Sequence, residues 1–218
     1  MRCSVCDEEL TTPLGCAKCG TLHPVAEHPD PFALFGLERR FQVDQKALRK
    51  SLMRFSRLVH PDFFGEASAE TRALAERNSS QLNAAFGLLS DDYRRAEHLV
   101  EALGGPTSKK VRDMPQAFLM EVMEWNETLE EARGEPSPEA LRDLTKLHFS
   151  LQSERGHLIA AIEGQLTPLP EHSSEVLENV RRQLNAIRYI DRALHEIEEL
   201  RLERASEDKA CPTSNSTS

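Results

Sequence analysis

Aromatic and sheet-forming side chains are scarce in this chain. Of 218 residues, two are Tyr and one is Trp, and runs of β-branched residues are short. That argues against an all-β sandwich or barrel, whose strands draw on those residues. No apolar run approaches the ~18 residues that a membrane-spanning helix needs. The N-terminus also lacks the basic-then-apolar layout of a secretory signal, so a reducing cytoplasm is the expected compartment. There the five Cys read as metal ligands or thiols before disulfides. A formal net charge of −9 makes nucleic acid a poor default partner. Leu, Ala, Glu and Arg are plentiful, which predicts an all-α fold with one or two modest cores.

The first 20 residues contain "CSVCDEELTTPLGCAKC" followed by Gly20. Cys3 and Cys6 form one C-x-x-C pair, and Cys16 and Cys19 form a second. A tight turn points both sulfurs of such a pair inward, so two pairs suit a closed tetrahedral structural site for one Zn²⁺. Residues 1–25 hold little core, and a metal would supply much of their folding energy. Free thiols, a redox disulfide and a rubredoxin-like iron site are the alternatives at this point. A redox C-x-x-C belongs at the start of a helix in a βαβ unit, a pattern the segment lacks. Cys211, in a Ser/Thr-rich tail, reads as an incidental free thiol.

Three Pro in "TLHPVAEHPDPF" (21–32) mark a connector, and the chain then turns helical. Asp44 is placed to cap a helix from Gln45 to Val59. Leu48, Leu52, Phe55 and Val59 fall on one stripe of it, with Lys46, Lys50, Arg54 and Arg57 on the other side. His60-Pro61-Asp62 breaks this helix. A second is expected from Ala69 to Leu89 with Leu74, Leu82, Phe86 and Leu89 inward. A third follows the capping residues Ser90, Asp91 and Asp92 and turns Tyr93, Ala96, Leu99 and Leu103 inward; Gly104-Gly105-Pro106 ends it. After a linker (106–114), helices are expected over 115–132, 138–164 and 173–204, joined by short connections as in an antiparallel three-helix bundle. A disordered polar tail is expected over 205–218. No internal repeat is evident.

Two features are not explained by folding alone. The His60/Asp62 pair has no nucleophile beside it to complete a catalytic set, and a capped turn does not explain the basic helix leading into it. In "QAFLMEVMEWNETLEEA" (116–132), Phe118, Val122, Trp125 and Leu129 form the core stripe. Leu119, Met120 and Met123 lie off it, on a side shared with Glu124, Glu127 and Glu131. In the last helix Val180, Leu184, Ile187 and Leu194 make the inner stripe, and Tyr189 falls opposite. These off-stripe residues are either a wide core face or an exposed patch in which Met adapts its shape.

The helix, the HPD triplet and the following helix resemble a J-domain, the co-chaperone module that stimulates ATP hydrolysis by DnaK-class chaperones. "DPFALFGL" (30–37) is similar to its opening segment and "QLNAAFGLLSDDYRRAEHLV" (81–100) to its closing helices. The resemblance implies a J-domain over 26–105, in which His60, Pro61 and Asp62 trigger the chaperone and Lys46, Lys50, Arg54 and Arg57 attach to its acidic surface. Many J-domains place Lys directly after the triplet, where this chain has Phe63 and Phe64. With "FLMEVMEWNETLEEA" and "IRYIDRAL" (187–194), residues 30–203 resemble HscB-type co-chaperones of iron–sulfur cluster assembly. That implies a scaffold-binding domain over 115–204. Leu119, Met120, Met123, Glu124, Glu127, Glu131 and Tyr189 would contact an IscU-type scaffold protein, which the chain would deliver to a DnaK/HscA-class chaperone without covalent chemistry of its own. The rivals are a general protein-folding J-protein and a zinc- or thiol-dependent enzyme.

Overall fold

The computed structural model of the chain describes residues 1–111, 114–134, 137–172 and 174–210, with side chains described to residue 204. Among them are seven α-helices and no strand, only two isolated bridges. The chain divides into two compact units: Met1–Ala102 with Leu166–Leu169, and Leu103–Gln165 with Pro170–Ser218.

In the first unit, α1 (Pro31–Leu34) is a single turn inside the connector. Asp30 caps it by accepting from Phe32 N at 2.9 Å, and Pro31 suits its first position, where no backbone donor is needed. This turn drives Phe32, Leu34 and Phe35 into the core. α2 (Gln45–Val59) begins at Asp44, whose carboxylate accepts from Lys46 N at 2.9 Å and Ala47 N at 3.1 Å. Leu48, Phe55 and Val59 are buried and Leu52 is half-buried. A 3-10 turn over Pro61–Phe64 carries the HPD triplet, and α3 (Ala69–Ser90) returns along α2.

The inner face of α3 is rotated from the expected one. Ala75, Asn78, Leu82, Ala85 and Leu89 are buried, whereas Leu74 and Phe86 are only half-buried. Small residues let α3 approach its neighbours closely, and Asn78 is buried because distant carbonyls meet it. α4 (Asp92–Ala102) is capped by Asp91, which accepts from Arg94 N at 2.8 Å. Here Arg95, not Tyr93, is fully buried. Its guanidinium donates to Phe41 O at 2.6 Å and Leu89 O at 2.5 Å, pairs with Asp92, and lies over the Phe41 ring. A buried charge needs that full set of partners.

In the second unit, α5 (Gln116–Arg133), α6 (Pro138–Gln165) and α7 (Glu175–Ala210) form a bundle. Arg155–Asp191 at 2.6 Å and Gln165–Gln183 at 2.9 Å set α6 antiparallel to α7. Leu129, Ala132, Leu144, Leu151, Ile190, Ala193, Ile197 and Leu200 make the core, with Trp125 and Leu194 packed against it. Segment 106–111, read from the sequence as linker, is strapped to α7. Arg181 Nε donates to Pro106 O at 2.8 Å, and Asn185 Nδ2 to Val111 O at 2.7 Å. α7 continues to Ala210, past the end expected at 204. Cys211 and the tail beyond it lie outside the described residues.

Candidate metal centre and docking faces

The four Cys come together. Cys3 Sγ lies 3.6 Å from Cys19 Sγ and Cys6 Sγ 3.6 Å from Cys16 Sγ, and all four sulfurs fall within 4.8 Å of one another. A metal–sulfur bond of about 2.3 Å in tetrahedral geometry requires sulfurs about 3.8 Å apart, so the set fits one metal ion. The cross-pairing matters, because each turn contributes one ligand to each close contact.

Two copies of one backbone knuckle, 13 residues apart, build the centre. Cys3 N donates to Glu8 O, Asp7 N to Cys3 O and Leu10 N to Met1 O; Cys16 N donates to Thr21 O, Gly20 N to Cys16 O and His23 N to Leu14 O. The bridges Arg2–Glu9 and Gly15–Leu22 match in the same way. Each knuckle closes through one left-handed residue, Asp7 at φ 55° and Gly20 at φ 73°. No internal repeat is evident from the side chains, because only Cys recurs; the C-x-x-C spacing followed by Asp or Gly was the available signal.

The thiols do not ionise independently. Hydrogen bonds from the Thr21 hydroxyl and backbone N–H pull the Cys19 thiol down to about 6. Cys6 is pushed up to about 12: the Glu8 backbone hydrogen bond works downward, while burial and the three neighbouring thiols outweigh it. A bound cation compensates thiolates crowded in this way.

The knuckles belong to the first unit. Asn78 on α3 donates to Leu14 O at 2.9 Å and His23 O at 3.0 Å, and Thr12 Oγ1 to Leu34 O at 2.8 Å. Leu14 and Cys16 are fully buried. A Cβ added at Gly15 would meet Leu58 Cδ2 at 3.4 Å, so the second knuckle sits against the end of α2.

His60, Pro61 and Asp62 are presented at the surface of that unit, with His60 and Asp62 exposed. His60 caps the 3-10 turn, its Nδ1 accepting from Asp62 N at 3.3 Å. The Asp62 carboxylate is further away, at 3.6 Å. The nitrogen nearest Asp62 is thus occupied as an acceptor, which is not the arrangement of a carboxylate-oriented catalytic base. Lys46, Lys50, Arg54 and Arg57 are all exposed along α2. Arg49, passed over in the sequence pattern, is exposed beside them, and Arg54 stacks over Phe55 with 4.7 Å to the ring centre.

On the bundle, Leu119, Met120 and Met123 are exposed at 43%, 59% and 64%, so they lie outside the core. Glu124, Glu127 and Glu131 are exposed on the same helix. Tyr189 on α7 is also exposed, and its ring meets Phe118 edge-on with centroids 5.9 Å apart. Phe118 in turn meets Trp125 at 5.5 Å. Half-buried Phe118 therefore brings Tyr189 of α7 against α5, the helix that carries the patch.

The family model described as HSCB C-terminal oligomerisation domain matches residues 114–198. A co-chaperone protein HscB homolog of Pseudoalteromonas atlantica is 32% identical over 168 residues, covering 77% of this chain and 93% of the relative. Another, from Aromatoleum aromaticum, is 32% identical over 171 residues, covering 78% and 92%. The solved chaperone HscB from Vibrio cholerae aligns with a TM-score of 0.68 and 26% identity, over 80% of this chain and 99% of that one. Human co-chaperone HscB aligns at 0.72 with 24% identity, over 94% and 98%, a likeness of fold. Among the described residues no helix is long and apolar enough to cross a membrane.

Proposed function

The chain belongs to the HscB family of co-chaperones, and on that premise we propose that it delivers an IscU-type iron–sulfur scaffold protein to a DnaK/HscA-class chaperone and stimulates that chaperone's ATPase. One observation carries the reading: an exposed, hydrogen-bonded HPD turn at the end of a cationic helix, on one unit, and an exposed apolar patch sharing its helix with exposed carboxylates, on the other.

His60, Pro61 and Asp62 act as the trigger. Lys46, Lys50, Arg54 and Arg57 steer the encounter with an acidic surface. Leu119, Met120, Met123 and Tyr189 bury against the scaffold, with Glu124, Glu127 and Glu131 as a charged rim. Holding both partners on one chain turns the second encounter into an intramolecular one and raises the scaffold's effective concentration at the chaperone. ATP hydrolysis belongs to the chaperone. Cys3, Cys6, Cys16 and Cys19 hold one structural Zn²⁺, a closed four-thiolate set with no position for substrate. The setting is the cytoplasm.

Chaperone ATP turnover measured alone, with the chain, and with chain and scaffold together tests this. Acceleration by the chain, increased further by scaffold, is expected; His60→Gln should lose both with its helical signal unchanged. Turnover unaffected by the chain would end the reading. Peptide clients replacing the scaffold would favour a general folding role instead.

A further inference from the structure

We propose that Phe63 and Met53 are apolar anchors of the chaperone-docking face, seated in an apolar recess of an acidic chaperone surface. The proposal rests on the chaperone reading above and adds the part of the contact that is not charge.

Along α2, Lys46, Lys50, Met53, Arg57 and His60 recur at intervals of four and three residues, which keeps them on one stripe of the helix. All five are exposed. Met53, in the middle of the stripe, is 60% exposed, and Phe63, just past its end, 69%. The His60 ring meets the Phe63 ring edge-on, with centroids 6.0 Å apart. The chain has core places for rings: Phe32, Phe35, Phe41 and Phe55 are all buried. Phe63 is not in one of them.

Its position is set before any partner arrives. Phe63 N donates to His60 O at 3.1 Å, Asp62 N to His60 Nδ1 at 3.3 Å, and Pro61 restricts the first φ of the turn. Arg72 on α3 donates to Gly65 O at 3.0 Å and ties the turn's far end. With the backbone of the turn already fixed, burying the Phe63 ring costs only the ordering of its own two torsions, a small cost for a large apolar group at an interface. Charge complementarity names the occupant. Lys46, Lys50 and Arg57 share the α2 stripe with Met53, just before Phe63, and select an acidic surface, and the two apolar side chains require a recess within it. Phe63 stands where a Lys would add one more charge, so this face exchanges a screened contact for one that salt does not screen.

The test is a titration of the purified DnaK-class ATPase at low and high salt. It compares the unmodified chain with Phe63→Ala, Phe63→Leu, Met53→Ala, the Lys46→Ala/Lys50→Ala double variant and His60→Gln. Phe63→Ala should raise the half-maximal concentration tenfold or more, and Met53→Ala severalfold, at both salt levels and with unchanged melting of the first unit. Phe63→Leu should recover most of the loss, and the lysine double variant should flatten the salt dependence. If Phe63→Ala and Met53→Ala titrate like the unmodified chain while His60→Gln fails to stimulate, this proposal falls and the chaperone reading stands. If His60→Gln stimulates fully, the reading beneath it falls. Early melting of Phe63→Ala would assign the ring to packing and likewise overturn the proposal.

Discussion

Asn78, midway along α3, gives both amide protons to the metal-binding segment: one to the Leu14 carbonyl at 2.9 Å and one to the His23 carbonyl at 3.0 Å. The side chain is 1% exposed, so water cannot replace it. Asn78→Ala would take the donor from the His23 carbonyl and leave the Leu14 carbonyl with His23 N alone. At ~1–3 kcal/mol for an unsatisfied buried group, the first unit should lose roughly 1–3 kcal/mol. For a unit of this size that lowers the melting temperature by on the order of 10 °C or more. Asn78→Asp should fare no better, because a carboxylate cannot donate. Melting curves that superimpose on the parent's would show that the bonds contribute nothing net.

The same pair couples the metal to the helices. A segment with little core of its own, as residues 1–25 read in sequence, would unfold alone on chelation. With Leu14 and Cys16 buried in the first unit and Asn78 holding the second knuckle, metal removal should instead loosen α3. Amides around Asn78 should exchange faster with deuterium after chelation, while those of α6 and α7 should not change. Because protons compete with metal for thiolates, acidification should have the same effect, with metal lost as pH falls. Exchange that accelerates only before residue 26 would contradict the coupling.

His98 on α4 gives the first unit a second pH dependence. Burial pushes its imidazole below the usual value, with the Asp30 carboxylate pulling the other way and Arg39 adding to the lowering. The ring packs near Phe32, with centroids 6.1 Å apart. The folded form therefore binds its proton less readily than the unfolded form. The stability tied to keeping His98 neutral is fully present above the unfolded value of about 6.5 and is lost as pH falls toward the lower folded value. Denaturant midpoints across pH 8 to 5 should decline for the parent chain. In His98→Leu the decline should be smaller; an identical slope in both would remove His98 as its source.

Leu119→Ala, Met120→Ala and Met123→Ala combined should separate binding from folding. These side chains are 43–64% exposed, so truncation should move the melting temperature little. Burial of each against a scaffold would contribute about 1–2 kcal/mol, and the triple change should weaken scaffold binding by about a hundredfold or more. Stimulation of the chaperone without scaffold should persist, since it depends on His60–Asp62. Isothermal titration beside a thermal melt reads both quantities. Early melting with normal scaffold affinity would place these residues in the core.

Local chemistry was legible in the sequence. Periodicity of about 3.6 residues located the long helices, because an amphipathic helix writes its buried face at that spacing. Asp44 marked a helix start and Gly104 a stop, because those positions need a side-chain acceptor and a left-handed residue. The Cys spacing identified a metal site because the ligand turns are themselves local. The displacement of Leu119, Met120 and Met123 from the core stripe was visible too, but periodicity could not separate a patch from a broad core.

Tertiary structure decided what depends on residues far apart in the chain. Asn78, Arg95, Arg181 and Asn185 are buried, against their polarity, because each meets carbonyls carried in from another segment. Asn78 and Leu14 are 64 positions apart. Tyr189 reached α5 only because packing brought it to Phe118. A polar side chain's sequence states what it can donate, but its burial turns on whether an acceptor arrives opposite it. Only the assembled packing supplies that acceptor.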